Sequence, residues 1–278
     1  MVCMDELVFL KLGGSLITEK TQRYTVRVDK LEALARELRL ALTETPDLRL
    51  VLGHGSGSFG HFAFFDHLNP SDFPPSAEAR PRSDKRYWSG VAEVWYRASQ
   101  LNRHVLDALH IAGVPAIALA PSAAATSRSG EILAWETGPL QAALDSGVLP
   151  VIFGDIVFDP ILGAQVLSTE VLMWHLAVSL KPSRILLAGL EEAVWADFPE
   201  RTKPIQSISA SNMGAIASSL RGSHGPDVTG GMRSKVEEML ALTQAVPGLR
   251  VQIFSGETAG NLGRALRGET LGTLIGGD

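Results

Sequence analysis

Short apolar runs that break into glycine recur along this chain, separated by stretches of helical periodicity. Leu7–Leu12 ends in Gly13-Gly14, Leu48–Leu52 runs into Gly53-His54-Gly55-Ser56-Gly57-Ser58-Phe59-Gly60-His61, and Leu149–Phe153 enters Gly154-Asp155. Further runs of strand length lie at Pro115–Leu119, Arg184–Ala188 and Arg250–Phe254. Between them, Leu31, Leu34, Ala35 and Leu38 share one helical stripe of Val28–Thr43, and Val91, Val94, Ala98, Leu101 and Val105 share one of Ser89–Ala112. Helices are also expected at Leu140–Leu144, after Ser168 up to Leu180, at Val236–Ala245 and at Asn261–Leu266. Unbroken apolar runs suit strands buried on both faces, and helices supply the crossovers between parallel strands. The pattern predicts an α/β fold, a three-layer αβα sandwich around a mostly parallel sheet. Asp29 is expected to cap the first long helix. The segment Asp66–Arg86, with Pro70, Pro74, Pro75 and Pro81, is expected to be a long loop of the kind that covers a binding site.

With 278 residues, 45% of them hydrophobic and 20% charged, the chain can bury a substantial core in one large domain. A net charge of −5 does not suggest a nucleic-acid partner. Cys3 is the only cysteine, so no internal disulfide is available, and no Cys/His cluster has zinc spacing. The first residues lack the basic and apolar regions of a signal peptide, and no apolar run approaches the roughly 18 residues of a membrane helix. The expectation is a cytoplasmic protein with no membrane partner.

Function concentrates in three glycine clusters: Lys11-Leu12-Gly13-Gly14-Ser15, Gly53–His61 and Thr229-Gly230-Gly231-Met232. Glycine lets backbone approach a ligand closely, and free N–H groups at such turns and at helix starts attract anions. In parallel sheets, ligands bind outside the carboxyl ends of the strands, where two of these clusters fall. Gly55–Gly60 matches the dinucleotide fingerprint literally. That fingerprint needs a compact βαβ unit and an acidic residue about 20 positions on, and the proline-rich segment occupies that span instead. A Walker motif is absent. Lys11, within an apolar run, and Lys20 and Lys235, near glycine turns, could supply the positive charge that phosphoryl transfer between two anions requires.

These segments resemble the amino acid kinase superfamily. Lys11-Leu12-Gly13-Gly14-Ser15 with Lys20 is similar to its opening motif; Gly154-Asp155, Asp227–Met232 with Lys235, and Gly256–Asn261 followed by Gly272-Thr273 continue the pattern in order. Within the superfamily, His54–His61, together with Leu101-Asn102 and Pro121-Ser122, resembles the isopentenyl phosphate kinases, whose glycine-rich loop ends in a histidine on the acceptor phosphate. The resemblance implies an acceptor-binding N-lobe over about 1–170, a nucleotide-binding C-lobe over about 171–278, a homodimer, and ATP with Mg2+ as cofactors. It implies that Lys11, Gly13, Gly14 and Ser15 hold ATP phosphates and that Lys20 stabilises the phosphoryl group in flight. Ser56 and Gly57 would offer backbone N–H groups to acceptor and nucleotide, and His61 would bond the acceptor phosphate. Gly154 would line the acceptor site, Asp155 would orient lysines or magnesium-bound water, and Gly231 and Lys235 would grip the nucleotide. The implied reaction phosphorylates isopentenyl phosphate, a small phosphate substrate, to the diphosphate.

Two segments depart from the family pattern. Ser168-Thr169-Glu170-Val171 stands where Ser-Gly-Asp-Asp is common, leaving Glu170 as the lysine-organising, ATP-site carboxylate. Ala188–Trp195 replaces an acidic, glycine-containing strand end that would touch the nucleotide. Fosfomycin kinases share the histidine loop, so a kinase for another small phosphonate or acid stays open. So does a nucleotide-binding sensor without catalysis.

Overall fold

A computed structural model describes residues 6–72, 84–217 and 231–276. Cys3, the span 73–83 of the expected loop, Asp227-Val228, and Thr229-Gly230 of the third glycine cluster lie outside the described residues. In chain order the elements are β1 (Glu6–Leu12), α1 (Gly14–Ile17), α2 (Val28–Glu44), β2 (Leu48–His54), α3 (Gly57–His67), α4 (Lys85–Ile111), β3 (Ala116–Ala118) and α5 (Pro121–Ala124). Next come β4 (Ala125–Arg128), β5 (Glu131–Trp135), α6 (Gly138–Asp145), β6 (Leu149–Phe153), β7 (Asp155–Asp159), β8 (Gly163–Leu167), α7 (Thr169–Leu180) and β9 (Arg184–Gly189). The chain continues through β10 (Val194–Trp195), β11 (Pro204–Ile205), β12 (Ser207–Ile208), α8 (Ala210–Ile216), α9 (Gly231–Ala245), β13 (Arg250–Ser255), α10 (Asn261–Leu266) and β14 (Thr273–Ile275).

Eight strands form one sheet in the order β12-β14-β13-β9-β1-β2-β6-β3, with every neighbouring pair parallel except β13–β14. Alternation along β1 sorts its side chains onto two faces. Val8, Leu10 and Leu12 join a core with residues of α2, α4 and α10, while Phe9 joins a second core with residues of α6, α7 and α9. The result is the expected three-layer sandwich. Lys11 follows the Phe9 side of the alternation and therefore emerges toward α7.

The structure corrects several local expectations. Helix α2 is preceded by Arg27 as its N-cap, and Asp29 sits inside the first turn, where its charge still suits the helix dipole. His54–His61 is not a loop throughout. Gly57, at φ +50°, swings the chain into α3, and Phe59, Gly60 and Ala63 are buried along that helix. The Asp66–Arg86 loop is shorter than expected. Helix α3 runs on to His67, and α4 opens at Lys85 under a cap in which Asp84 accepts from the Tyr87 N–H at 3.1 Å. Two hairpins, β4–β5 and β7–β8, were not anticipated. The buried Asp159 carboxylate ties them, accepting from Ser127 Oγ, Gly130 N, Ile161 N and Leu162 N.

Candidate active site

The register of the sheet aligns three strand ends. Lys11 lies opposite Gly53 and Leu187, and Leu12 opposite His54 and Ala188. The chain leaves β1 through Gly13, whose N–H donates to Ala188 O at 2.8 Å, and leaves β2 through Gly55, whose N–H donates to Leu12 O at 3.0 Å. The two turns then press together. A Cβ on Gly14 would stand 2.4 Å from the Gly57 nitrogen, so only glycine permits this approach. Ser15 is half-buried in α1, and Ser56 is the half-buried N-cap of α3.

Charge gathers on the α7 side of these turns. Lys11 is 7% exposed, and its Nζ stands 3.0 Å from Glu170 Oε1. Lys235 Nζ, from α9, approaches the same oxygen at 3.7 Å. Glu170 lies in the first turn of α7, whose cap is Ser168 accepting from the Val171 N–H at 3.2 Å. Burial pushes the Glu170 carboxyl up, but the Lys11 and Lys235 charges outweigh it and hold the group down at about 2. Glu238, one helical turn beyond Lys235, is pushed up by desolvation and by the Glu170 charge. Nothing in the sequence pattern singled out Glu238, because only the fold brings α9 beside α7. Gly231 opens α9 at φ +76°, a backbone conformation that favours glycine.

Lys20 and His61 lie on the two segments that leave these turns, the stretch after α1 and helix α3. Lys20 is exposed in a turn closed by a bridge between Thr18 and Val26. His61 is half-buried on α3, its ring edge-on to Phe65 at 4.8 Å. The Lys20 turn is tied to α3, because Arg23 pairs with Asp66 and stacks over the Phe62 ring at 4.8 Å. Phe62, Phe64 and Phe65 thus stay on the helix that carries His61.

Gly154 is buried, and its N–H donates to His54 O at 3.1 Å. Asp155 is 1% exposed; one carboxylate oxygen accepts from the Ser122 N–H at 3.0 Å, the other from the Ile156 N–H at 2.8 Å. Burial raises its pKa against these hydrogen bonds. The Ser122 side chain and the two backbone amides hold Asp155, and the carboxylate that meets Lys11 and Lys235 is Glu170. Ser122 in turn accepts from Trp95 Nε1 at 3.1 Å, linking α4 to this corner. His54 is fully buried, stacks on Phe153 at 5.6 Å, and contacts Asn102 Oδ1 and Gly55 O, both at 3.1 Å. Desolvation lowers its pKa and favours the neutral ring. A neutral imidazole has one N–H, so with Gly55 O as its acceptor the Asn102 amide must present its NH2 group to the other nitrogen.

The geometry offers paired backbone turns, two lysines sharing one carboxylate, and a third lysine and a histidine on the segments that leave those turns. That arrangement suits anionic groups held end to end. The model of the amino acid kinase family matches residues 6–255. The isopentenyl phosphate kinase of Methanocaldococcus jannaschii is 32% identical over 97% of this chain and 98% of its own length. That of Haloferax volcanii is 34% identical over 98% and 99%. A solved isopentenyl phosphate kinase structure superposes with a TM-score of 0.79 at 29% identity, covering 97% of this chain and 100% of that one. With the family model spanning nearly the whole sheet and full-length relatives on both measures, the chain belongs to the amino acid kinase family.

Proposed function

We propose that this protein transfers the γ-phosphoryl group of ATP to isopentenyl phosphate, giving isopentenyl diphosphate and ADP. The observation that carries the reading is the convergence of Lys11 and Lys235 on Glu170 beside the touching Gly14 and Gly57 turns. The full-length similarity to isopentenyl phosphate kinases supplies the acceptor.

In this reading Lys11, Gly13, Gly14, Ser15, Gly231 and Lys235 hold the ATP phosphates, and Glu170 keeps the two lysines charged and aimed until phosphate replaces it. Lys20 meets the phosphoryl group in flight. Ser56, Gly57, Gly154 and His61 hold the acceptor phosphate, and the apolar rings beside His61 suit a five-carbon tail. An acceptor phosphate is largely ionised near neutral pH, so the chemistry needs alignment and charge neutralisation more than a strong base. Asp155 works through Ser122, holding the wall of the acceptor side. The N-lobe binds acceptor and the C-lobe nucleotide, with about 170 as the division.

Magnesium is the usual counter-ion of ATP. Among the described residues no group of three or more His, Cys, Asp or Glu side chains could hold a metal ion. Glu170 is committed to lysines and Asp155 to Ser122 and the Ile156 amide. A dedicated cage does not fit these residues, and the ion would arrive on the nucleotide phosphates. A homodimer in the cytoplasm completes the proposal. Among the described residues no helix is long and apolar enough to cross a membrane.

The test is ADP release by purified protein with Mg-ATP across isopentenyl phosphate, dimethylallyl phosphate, fosfomycin, N-acetylglutamate and UMP. Turnover confined to the isoprenoid monophosphates is expected. Turnover of another acceptor alone moves the substrate and leaves the phosphate machinery.

A further inference from the structure

One buried hydroxyl joins the two halves of the site. Thr18, 1% exposed, ends the α1 turn and lies two residues before Lys20. Its Oγ1 donates to Gly14 O at 2.8 Å and accepts from the Ser58 N–H at 3.0 Å. Gly14 belongs to the turn assigned to the nucleotide phosphates. Ser58 belongs to the first turn of α3, the helix that carries His61. Gly57 is folded around the same hydroxyl: a Cβ there would stand 2.3 Å from Thr18 Oγ1. A hydroxyl with one proton and free lone pairs satisfies both bonds at once, which no apolar side chain of the same shape can do.

We propose that Thr18 is a positioning residue, which sets the separation of the nucleotide turn from the acceptor helix and anchors the Lys20 turn to both. The inference rests on the reading that donor and acceptor lie on these two turns. It extends that reading to a side chain outside the lysines, histidine and glycines. In-line transfer is steeply sensitive to the gap between the reacting groups, and a misplacement of about 1 Å costs on the order of 100-fold. β-branching holds the threonine side chain in few rotamers, so the hydroxyl acts as a fixed spacer.

The experiment compares wild type with Thr18→Val, which keeps shape and removes the hydroxyl, and Thr18→Ser, which keeps the hydroxyl. If Thr18→Val does not fold, Thr18→Cys takes its place. Turnover on isopentenyl phosphate is measured well below each Tm. Thr18→Val is expected to lose kcat by about 30- to 100-fold with both KM values within about threefold, and Thr18→Ser to recover most of it. Amide hydrogen exchange with a non-hydrolysable Mg-ATP analogue gives a readout independent of the acceptor. Wild type is expected to gain protection at both 13–17 and 57–62, and Thr18→Val at 13–17 alone. A folded Thr18→Val enzyme with wild-type kcat overturns the proposal, as does a loss confined to KM. So does protection of 57–62 that persists in the variant or never occurs in wild type. If wild type leaves isopentenyl phosphate untouched, the substrate reading fails, and the exchange arm still decides the role of Thr18.

Discussion

The two sides of the site hold their positive charge in opposite ways. On the α7 side, Lys11 and Lys235 share a carboxylate, and the Lys11 and Glu170 side chains are only 9% and 13% exposed. On the α3 side, Lys20 is exposed in a turn pinned by neighbours. Charge in the first region is fixed before any substrate arrives, so changing it should disturb both stability and catalysis. Charge in the second sits at the surface on a turn, so changing it should disturb rate more than stability.

The sharpest way to break this contrast is at Lys20. Lys20→Ala is expected to reduce kcat by roughly 1000-fold, since it removes a cation that meets charge developing in transfer. Its Tm should match wild type within about a degree, because an exposed lysine contributes little to the core. A stopped assay and a thermal melt on the same preparation check both halves. A large drop in Tm would place Lys20 with the buried cluster instead.

Glu170 is the converse. Glu170→Gln removes the buried carboxylate that Lys11 and Lys235 share, and is expected to cost about 3 kcal/mol in urea unfolding without ligand. Adding Mg-ATP should restore more stability to the variant than to wild type, because phosphates would take over the neutralising role. Acid titration probes the same pair. The Glu170 carboxyl, held at about 2 in the folded state against an ordinary 4.5, contributes stability that is fully present above pH 4.5. That stability is lost as pH falls toward 2, and urea melts between pH 6 and 3 should show the decline in wild type and a weaker one in Glu170→Gln. Asp155 runs the other way, because its raised pKa favours the folded state at low pH, so the Glu170 signal is read as the difference between the two proteins.

His61→Ala sits between these extremes, with an expected kcat loss of about 100-fold and little change in ATP KM. A donor to the acceptor phosphate should also raise the acceptor KM, and the pattern of the two constants separates it from Lys20.

The contrast also explains what the sequence disclosed. The sandwich was legible because apolar runs and helical stripes are local patterns, and the glycine turns were legible because they follow those runs directly. The partner of Lys11 was legible only through the family resemblance, which made Glu170 the lysine-organising carboxylate. The fold alone shows that α9 delivers Lys235 and Glu238 to the same place. His54–His61 misled as a loop, since its glycine content hides the fact that only Gly57 needs a positive φ while the rest turns into α3. Thr18 gave no signal at all. A single hydroxyl after Leu16-Ile17 looks incidental until two segments 40 residues apart in sequence close on it.

The smallest effect is expected where the second region is pinned at its surface. Arg23 pairs with Asp66 and covers Phe62, yet the side chains are 56% and 31% exposed. Solvent and salt screen such a pair, so Arg23→Ala should leave unfolding free energy nearly unchanged. Its use would be kinetic: it holds the Lys20 turn against the helix that bears His61. A loss of kcat of about two- to fivefold is expected, with wild type drifting toward the variant as salt rises. A double-mutant cycle with Asp66→Ala isolates the pair from the stacking on Phe62. If the two losses add fully, the contact with Asp66 does not hold the turn, and the Tyr24–Phe59 ring contact at 5.8 Å becomes the anchor to test.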